Sequence, residues 1–264
     1  MNTPRTFNRS LQWKTYSRIK SKETKERTDF MNILAVGAHP DDLEISCGGT
    51  LAKYARLGHT VFMVHVASGN AGSRTILPDE LRKIRRKEAQ KAGDLIGAET
   101  FWLGADDLHV SSDNNDLRDA MVDIIRQTKP DIIITHNPDD YMDDHNETSK
   151  LVFRASMAAT VPHHHTSHGF YEKLTPIYYM DTLNGIGTVP TEYVDITDDI
   201  EMKIKMMASH ESQISWLKEH DNIDFPEFAL VVSRFRGAQC DVKYAEGFTF
   251  CLQAHKIPCC RYLP

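Results

Sequence analysis

Short, nearly unbroken apolar runs alternate with longer stretches in which apolar residues recur at helical spacing. The first run, Ile33-Leu34-Ala35-Val36, stops at Gly37 and reads as a buried strand over Asn32–Ala38. Thr60–Val66 repeats the pattern, and Thr100–Leu103 and Asp131–Thr135 follow it. Between them the pattern predicts helices over Gly48–Leu57, Asp79–Ile96 and Asp116–Thr128. The last of these places Leu117, Met121, Ile124 and Ile125 on one face, and Gly97 stands where the Asp79–Ile96 helix needs a left-handed C-terminal residue. Further on, the pattern predicts a helix over Glu147–Thr160, strands over Pro176–Met180 and Tyr193–Ile196, and one long helix over Asp198–His220. From Phe225 the reading is short strands and turns.

Strands that alternate with helices pack as parallel neighbours joined by right-handed crossovers. The expected fold is therefore α/β and Rossmann-like: a doubly wound, mainly parallel sheet with helices on both faces. No internal repeat or Pro/Gly-rich linker interrupts the alternation, so residues 31–264 read as one domain. Residues 1–30 are polar and lack periodic apolar positions, and they read as a flexible basic leader. Met31, directly before the first strand, is an alternative start.

Charge sharpens that division. The chain carries −6 overall, yet residues 1–30 hold eight basic and three acidic residues, which leaves −11 on the remainder. So acidic a body argues against a nucleic-acid partner. No run is long and apolar enough for a membrane span, and no apolar signal segment opens the chain, so the expectation is a cytoplasmic protein without a membrane partner. Five cysteines, Cys47, Cys240, Cys251, Cys259 and Cys260, make neither an even disulfide set nor a zinc-ribbon spacing, and they read as reduced thiols. A homo-oligomer is compatible with the composition.

Chemistry concentrates at two strand ends. Val36-Gly37-Ala38 runs into His39-Pro40-Asp41-Asp42, with Leu43-Glu44 and Cys47-Gly48-Gly49-Thr50 beyond. Asp131–Thr135 runs into His136-Asn137-Pro138-Asp139-Asp140-Tyr141-Met142-Asp143-Asp144-His145. In doubly wound sheets, ligands bind at the carboxyl ends of strands beside the point where strand order reverses. There His39, Asp42 and His145 can converge. Two imidazoles and one carboxylate with open positions suit a catalytic zinc ion, one per chain, with another divalent metal as the alternative. Cys47-Gly48-Gly49-Thr50 at the expected helix start would turn backbone N–H groups toward an anion, or its glycines would serve packing.

The stretch Gly37-Ala38-His39-Pro40-Asp41-Asp42-Leu43-Glu44 with Gly48-Gly49-Thr50 resembles the signature of the LmbE-like/PIG-L family of zinc-dependent N-acetyl-sugar deacetylases. Ala67-Ser68-Gly69-Asn70-Ala71-Gly72, the Arg85/Arg86 and Glu88 helix, Asp144-His145, His210-Glu211-Ser212-Gln213 and Tyr244-Ala245-Glu246-Gly247-Phe248 extend the likeness across about residues 31–250. The resemblance implies His39, Asp42 and His145 as zinc ligands and Asp41 as the general base. It implies removal of an acetyl group from an N-acetylglucosamine-type sugar or its conjugate. Asp144 would orient a ligand imidazole. One position departs: many members read His-Pro-Asp-His where this chain has Met142-Asp143-Asp144-His145, and methionine cannot donate to an oxyanion.

Tyr141 and the His163-His164-His165 group with His168 are candidates for the missing donor, His164 among them. Arg74 is a candidate sugar or phosphate contact, while Arg85, Arg86 and Glu44 read more simply as ion-paired structure. Competing readings are an amidase acting on a thiol–sugar conjugate and a non-catalytic sugar-binding module. A non-haem iron oxygenase shares the two-His, one-carboxylate set but sits on another fold.

Overall fold

The computed structural model describes residues 30–253 and 261–264. Residues 1–29 of the expected leader, and Cys259 and Cys260, lie outside the described residues. Met31–Pro264 pack as one compact unit. Seven strands form its sheet: β1 (Asn32–Gly37), β2 (Thr60–Ala67), β3 (Glu99–Ala105), β4 (Ile132–Thr135), β5 (Ile177–Met180), β6 (Glu192–Asp195) and β7 (Ala245–Phe250). Their order is β3-β2-β1-β4-β5-β7-β6. β1 to β5 run parallel, and β7 lies antiparallel between β5 and β6.

Strand pleat explains the two layers. Ile33 and Ala35 point into one core with Leu43, Leu51 and Ile196, while Leu34 and Val36 point into the other with Met121, Ile125 and Leu151. All four β1 side chains are fully buried, as a central parallel strand requires. Helices cover both layers: α1 (Asp42–Arg56), α2 (Pro78–Asp94), α3 (Asn115–Thr128), α4 (Asp143–Ala158), α5 (Ile200–Met207), α6 (Glu211–His220) and α7 (Phe225–Gln239). Among the described residues no helix is long and apolar enough to cross a membrane.

The chain reverses direction across the sheet at β1, which pairs with β2 on one side and β4 on the other. Val36 lies opposite Thr135 in parallel register, so the turns that follow β1 and β4 emerge side by side.

Two helix starts, one helix break and one additional helix differ from the sequence expectation. α1 starts at Asp42 rather than Gly48, and α4 at Asp143 rather than Glu147, so Asp42 and His145 both sit in helical first turns. Gly49 lies mid-helix, where a side chain is excluded because a Cβ would lie 2.7 Å from Ile196 Cδ1. The expected long helix over Asp198–His220 breaks into α5 and α6 at His210, whose ring enters the core. The break lets Glu88 of α2 cap α6, accepting from Ser212 N–H at 2.8 Å and Ser212 Oγ at 2.6 Å. α7 occupies a stretch read as strands and turns, and it opens with an Asp224 cap, accepting from Glu227 N–H, followed by Pro226.

Candidate metal centre

The β1–α1 turn is short and strained. Asp41 has φ +115°, a left-handed conformation that non-glycine residues seldom adopt, and the chain enters α1 directly after it. Asp42 Oδ2 accepts from His39 N–H at 2.6 Å and closes the turn. Arg85 of α2 reaches the same turn: its guanidinium donates to the carbonyls of Pro40 and Gly69 and lies 3.2 Å from Asp41 Oδ1. Gly69 has φ +74°, and a Cβ there would overlap the Arg85 side chain at 2.5 Å, so the small-residue loop lets this arginine pass. Asp107 fixes that loop, accepting from Gly69 N–H at 2.7 Å and Ala71 N–H at 2.9 Å.

His39 and Asp42 line a cleft of about 540 Å³, and His145 gathers with them. One ligand atom from each lies within 4.8 Å of the others. His145 Nε2 is 3.3 Å from Asp42 Oδ1, and His39 Nδ1 is 3.5 Å from Asp42 Oδ2. His39 Nε2 faces away, 3.0 Å from Asp144 Oδ2, and Asp144 also accepts from the N–H groups of Leu108 and Val110. Asp144 therefore orients His39, leaving Nδ1 toward the cluster.

The sequence reading missed His136 and Asp140. His136 Nε2 accepts from Ala38 N–H at 2.9 Å and lies 3.2 Å from Asp42 Oδ2; its ring stacks on His145 at 3.9 Å. Asp140 Oδ1 lies 3.1 Å from His145 Nδ1. His136, Asp140 and His145 form a second group whose ligand atoms are mutually close. The available signal was positional: His136 directly follows β4, on the strand that neighbours β1.

The residues fit a divalent cation on two counts. Both His145 ring nitrogens are buried without an aligned hydrogen bond, a situation that coordination relieves. The electrostatics also gather positive charge. Burial opposes protonation of His39, but Asp144 and Asp42 overcome it and raise its pKa to about 9. His145 is likewise raised to about 10, burial being outweighed by Asp42 and Asp140. Asp42 is held well below the usual carboxylate range, burial being outweighed by His145 and His136. His136 falls to about 4 through burial and the neighbouring His145. Burial pushes Asp41 up to about 6 against the pull of Arg85.

The other expected residues divide. Tyr141 stands on the cleft rim, its ring edge-on to His145 at 5.7 Å, beside Met142. Two candidates lie elsewhere. Arg74 sits 6.0 Å from the Trp216 ring and lines a neighbouring groove, not the cleft. His164 Nε2 is 3.0 Å from Asp119 Oδ1 of α3, and Asp123 accepts from the N–H groups of Ser167 and His168, so α3 holds the histidine segment by ion pair and hydrogen bond. Glu44 is fully buried against His210 at 3.2 Å. Within the stretch expected to face an anion at a helix start, Gly49 and Thr50 N–H donate mid-helix to the chain's own Glu246 carboxylate at 2.9 and 2.7 Å, which also meets Lys203 Nζ at 2.6 Å.

A family model described as PIG-L, GlcNAc-PI de-N-acetylase, matches residues 34–156. The Escherichia coli K12 protein named uncharacterized deacetylase YaiS is 34% identical over 134 residues, spanning 49% of this chain and 69% of that protein. Among solved structures, N,N'-diacetylchitobiose deacetylase from Pyrococcus horikoshii aligns with a TM-score of 0.74 and 25% identity, covering 95% of each chain. GalB, the 4-carboxy-2-hydroxymuconate hydratase from Pseudomonas putida KT2440, also gives 0.74, at 22% identity over 84% of this chain and 97% of its own. That likeness is one of fold, and a shared fold leaves the chemistry to the site.

Proposed function

This chain belongs to the PIG-L (LmbE-like) family, and on that premise we propose that it is a metal-dependent hydrolase removing acetyl from an N-acetylglucosamine-type sugar or conjugate. One observation carries the reading: His39, Asp42 and His145, from two adjacent strand ends, gather beside a cleft that His39 and Asp42 line, with His145 lacking aligned hydrogen bonds. The Pyrococcus horikoshii relative, named for deacetylation of diacetylchitobiose, supplies the substrate class.

His39, Asp42 and His145 would hold a single zinc or other divalent ion. When bound, such an ion supplies Lewis-acid activation of water and of the acyl carbonyl. The protein's own residues do the rest. Asp41 stands beside the ligands with its carboxyl raised to about 6, mainly by burial, close to the working range of a general base. It takes a proton from the attacking water and delivers one to the departing amine, so the amide C–N bond breaks to acetate and a free amino sugar. Arg85 fixes the Asp41 carboxylate at 3.2 Å. Asp144 fixes the His39 ring at 3.0 Å. Tyr141, a hydroxyl donor beside His145, takes the position of oxyanion donor that Met142 cannot fill.

The hydratase reading follows only from the GalB likeness in fold, and it predicts no acetate. The decisive experiment is acetate release from N-acetylglucosaminides by zinc-loaded protein, with metal content measured in parallel. Stoichiometric acetate and free amine are expected. Absence of both, or activity indifferent to chelation, would overturn the proposal.

A further inference from the structure

The cleft changes character between floor and rim. Its floor carries His39, Asp41 and Asp42, each less than 10% exposed. Above them the walls are apolar. Leu108 and Tyr141, 75% and 63% exposed, line the cleft, as do Trp216 and Leu217 of α6, Ile223 in the turn that follows and Phe225 at the start of α7. Trp216 is already stacked on His220 at 4.4 Å, so α6 offers an apolar ridge and not a bare ring.

The same walls carry little fixed positive charge. Asp107 and Asp221 add negative charge to the lining, and Arg85 is the sole lysine or arginine among its described residues. The two terminal nitrogens of that guanidinium are taken by the carbonyls of Pro40 and Gly69 and by Asp41, and its Nε is buried from solvent. Two helix N-termini beside the apolar walls are closed by side chains: Ser212 N–H of α6 by Glu88, and Glu227 N–H of α7 by Asp224.

We propose that the cleft selects an N-acetylated amino sugar whose aglycone is uncharged and apolar, aliphatic or aromatic, and rejects one bearing phosphate. Leu108, Leu217 and Ile223 are the specificity-determining residues. The inference rests on the deacetylase reading above.

The test compares hexyl and methyl N-acetylglucosaminides with N-acetylglucosamine 1-phosphate, each as both anomers, using zinc-loaded protein. A buried methylene is worth about fourfold, so partial burial of the hexyl chain should raise kcat/KM at least about tenfold over methyl. The 1-phosphate should fall about tenfold or more below methyl. Leu108→Lys, at a site exposed enough to spare the fold, should narrow the hexyl-to-phosphate ratio about tenfold. Leu217→Lys should do the same, with an unchanged melting temperature checking its fold. Phosphate turned over as well as methyl, or hexyl no better than methyl, overturns the proposal. If none releases acetate, the deacetylase reading fails, and calorimetric binding of the same three compounds to metal-free protein decides the cleft's preference separately. Tighter hexyl binding supports it and equal phosphate binding overturns it.

Discussion

Asp144 Oδ2 lies 3.0 Å from His39 Nε2, joining the first turn of α4 to the turn after β1. The contact fixes which nitrogen of His39 remains for the cluster. Replacing the acceptor frees the ring to rotate, and such outer partners typically contribute 10- to 100-fold in metal affinity. Asp144→Asn should weaken zinc binding by about that factor in a chelator competition, and activity should be recovered at high added zinc. Unchanged affinity would show that His39 is held by other means.

Asp41 tests the division of labour within the His-Pro-Asp-Asp turn. Its carboxylate contacts Arg85, and it is Asp42 that faces His145. Asp41→Asn keeps the shape and removes the base, so metal content should remain near one per chain while acetate release falls about 10²- to 10⁴-fold. Asp42→Asn should instead lower the metal content itself, measured by emission spectroscopy on dialysed protein. Equal metal loss in both variants would sink the assignment.

Strand ends were legible because apolar runs closed by glycine or acid leave little choice, and Ile33 to Val36 and Ile132 to Ile134 are fully buried as read. Their loops announced the chemistry through residue type. What escaped depended on distant partners. Asp41 turns the chain into α1 under Arg85, so the helix begins before the glycines that seemed to open it. His210 interrupts a continuous helical pattern because Glu44 and Glu88 wait for it and for Ser212. His164 drew attention as one of a cluster, yet its partner Asp119 is on α3. Composition marks such residues as ionisable without saying which partner will take them.

Glu44 and His210 are both wholly buried, 3.2 Å apart. Removing one member of such a pair strands the other charge and costs about 3–5 kcal/mol, whereas replacing both by apolar groups costs much less. Glu44→Leu and His210→Leu should each lower stability by about that amount in urea unfolding. The double variant should lose clearly less than the sum. Additive losses would mean that the two side chains stabilise the fold independently.

Asp123 supplies a pH test remote from the cleft. Its carboxylate accepts from Thr166 Oγ1, at 2.5 Å, and from the N–H groups of Ser167 and His168, tying the histidine segment to α3. Burial alone would raise its pKa, but these donors bring it down to about 2. A carboxylate with a lower pKa folded than unfolded stabilises the fold fully above the unfolded value of about 4, and that contribution disappears as pH falls through the folded value. Asp123→Ala should therefore be about 1–2 kcal/mol less stable than the parent from pH 5 to pH 7. The gap should narrow below about pH 4 and close near pH 2. Urea unfolding of both proteins across that range measures it, and a gap that persists undiminished at pH 2 would assign the loss to packing and not to charge.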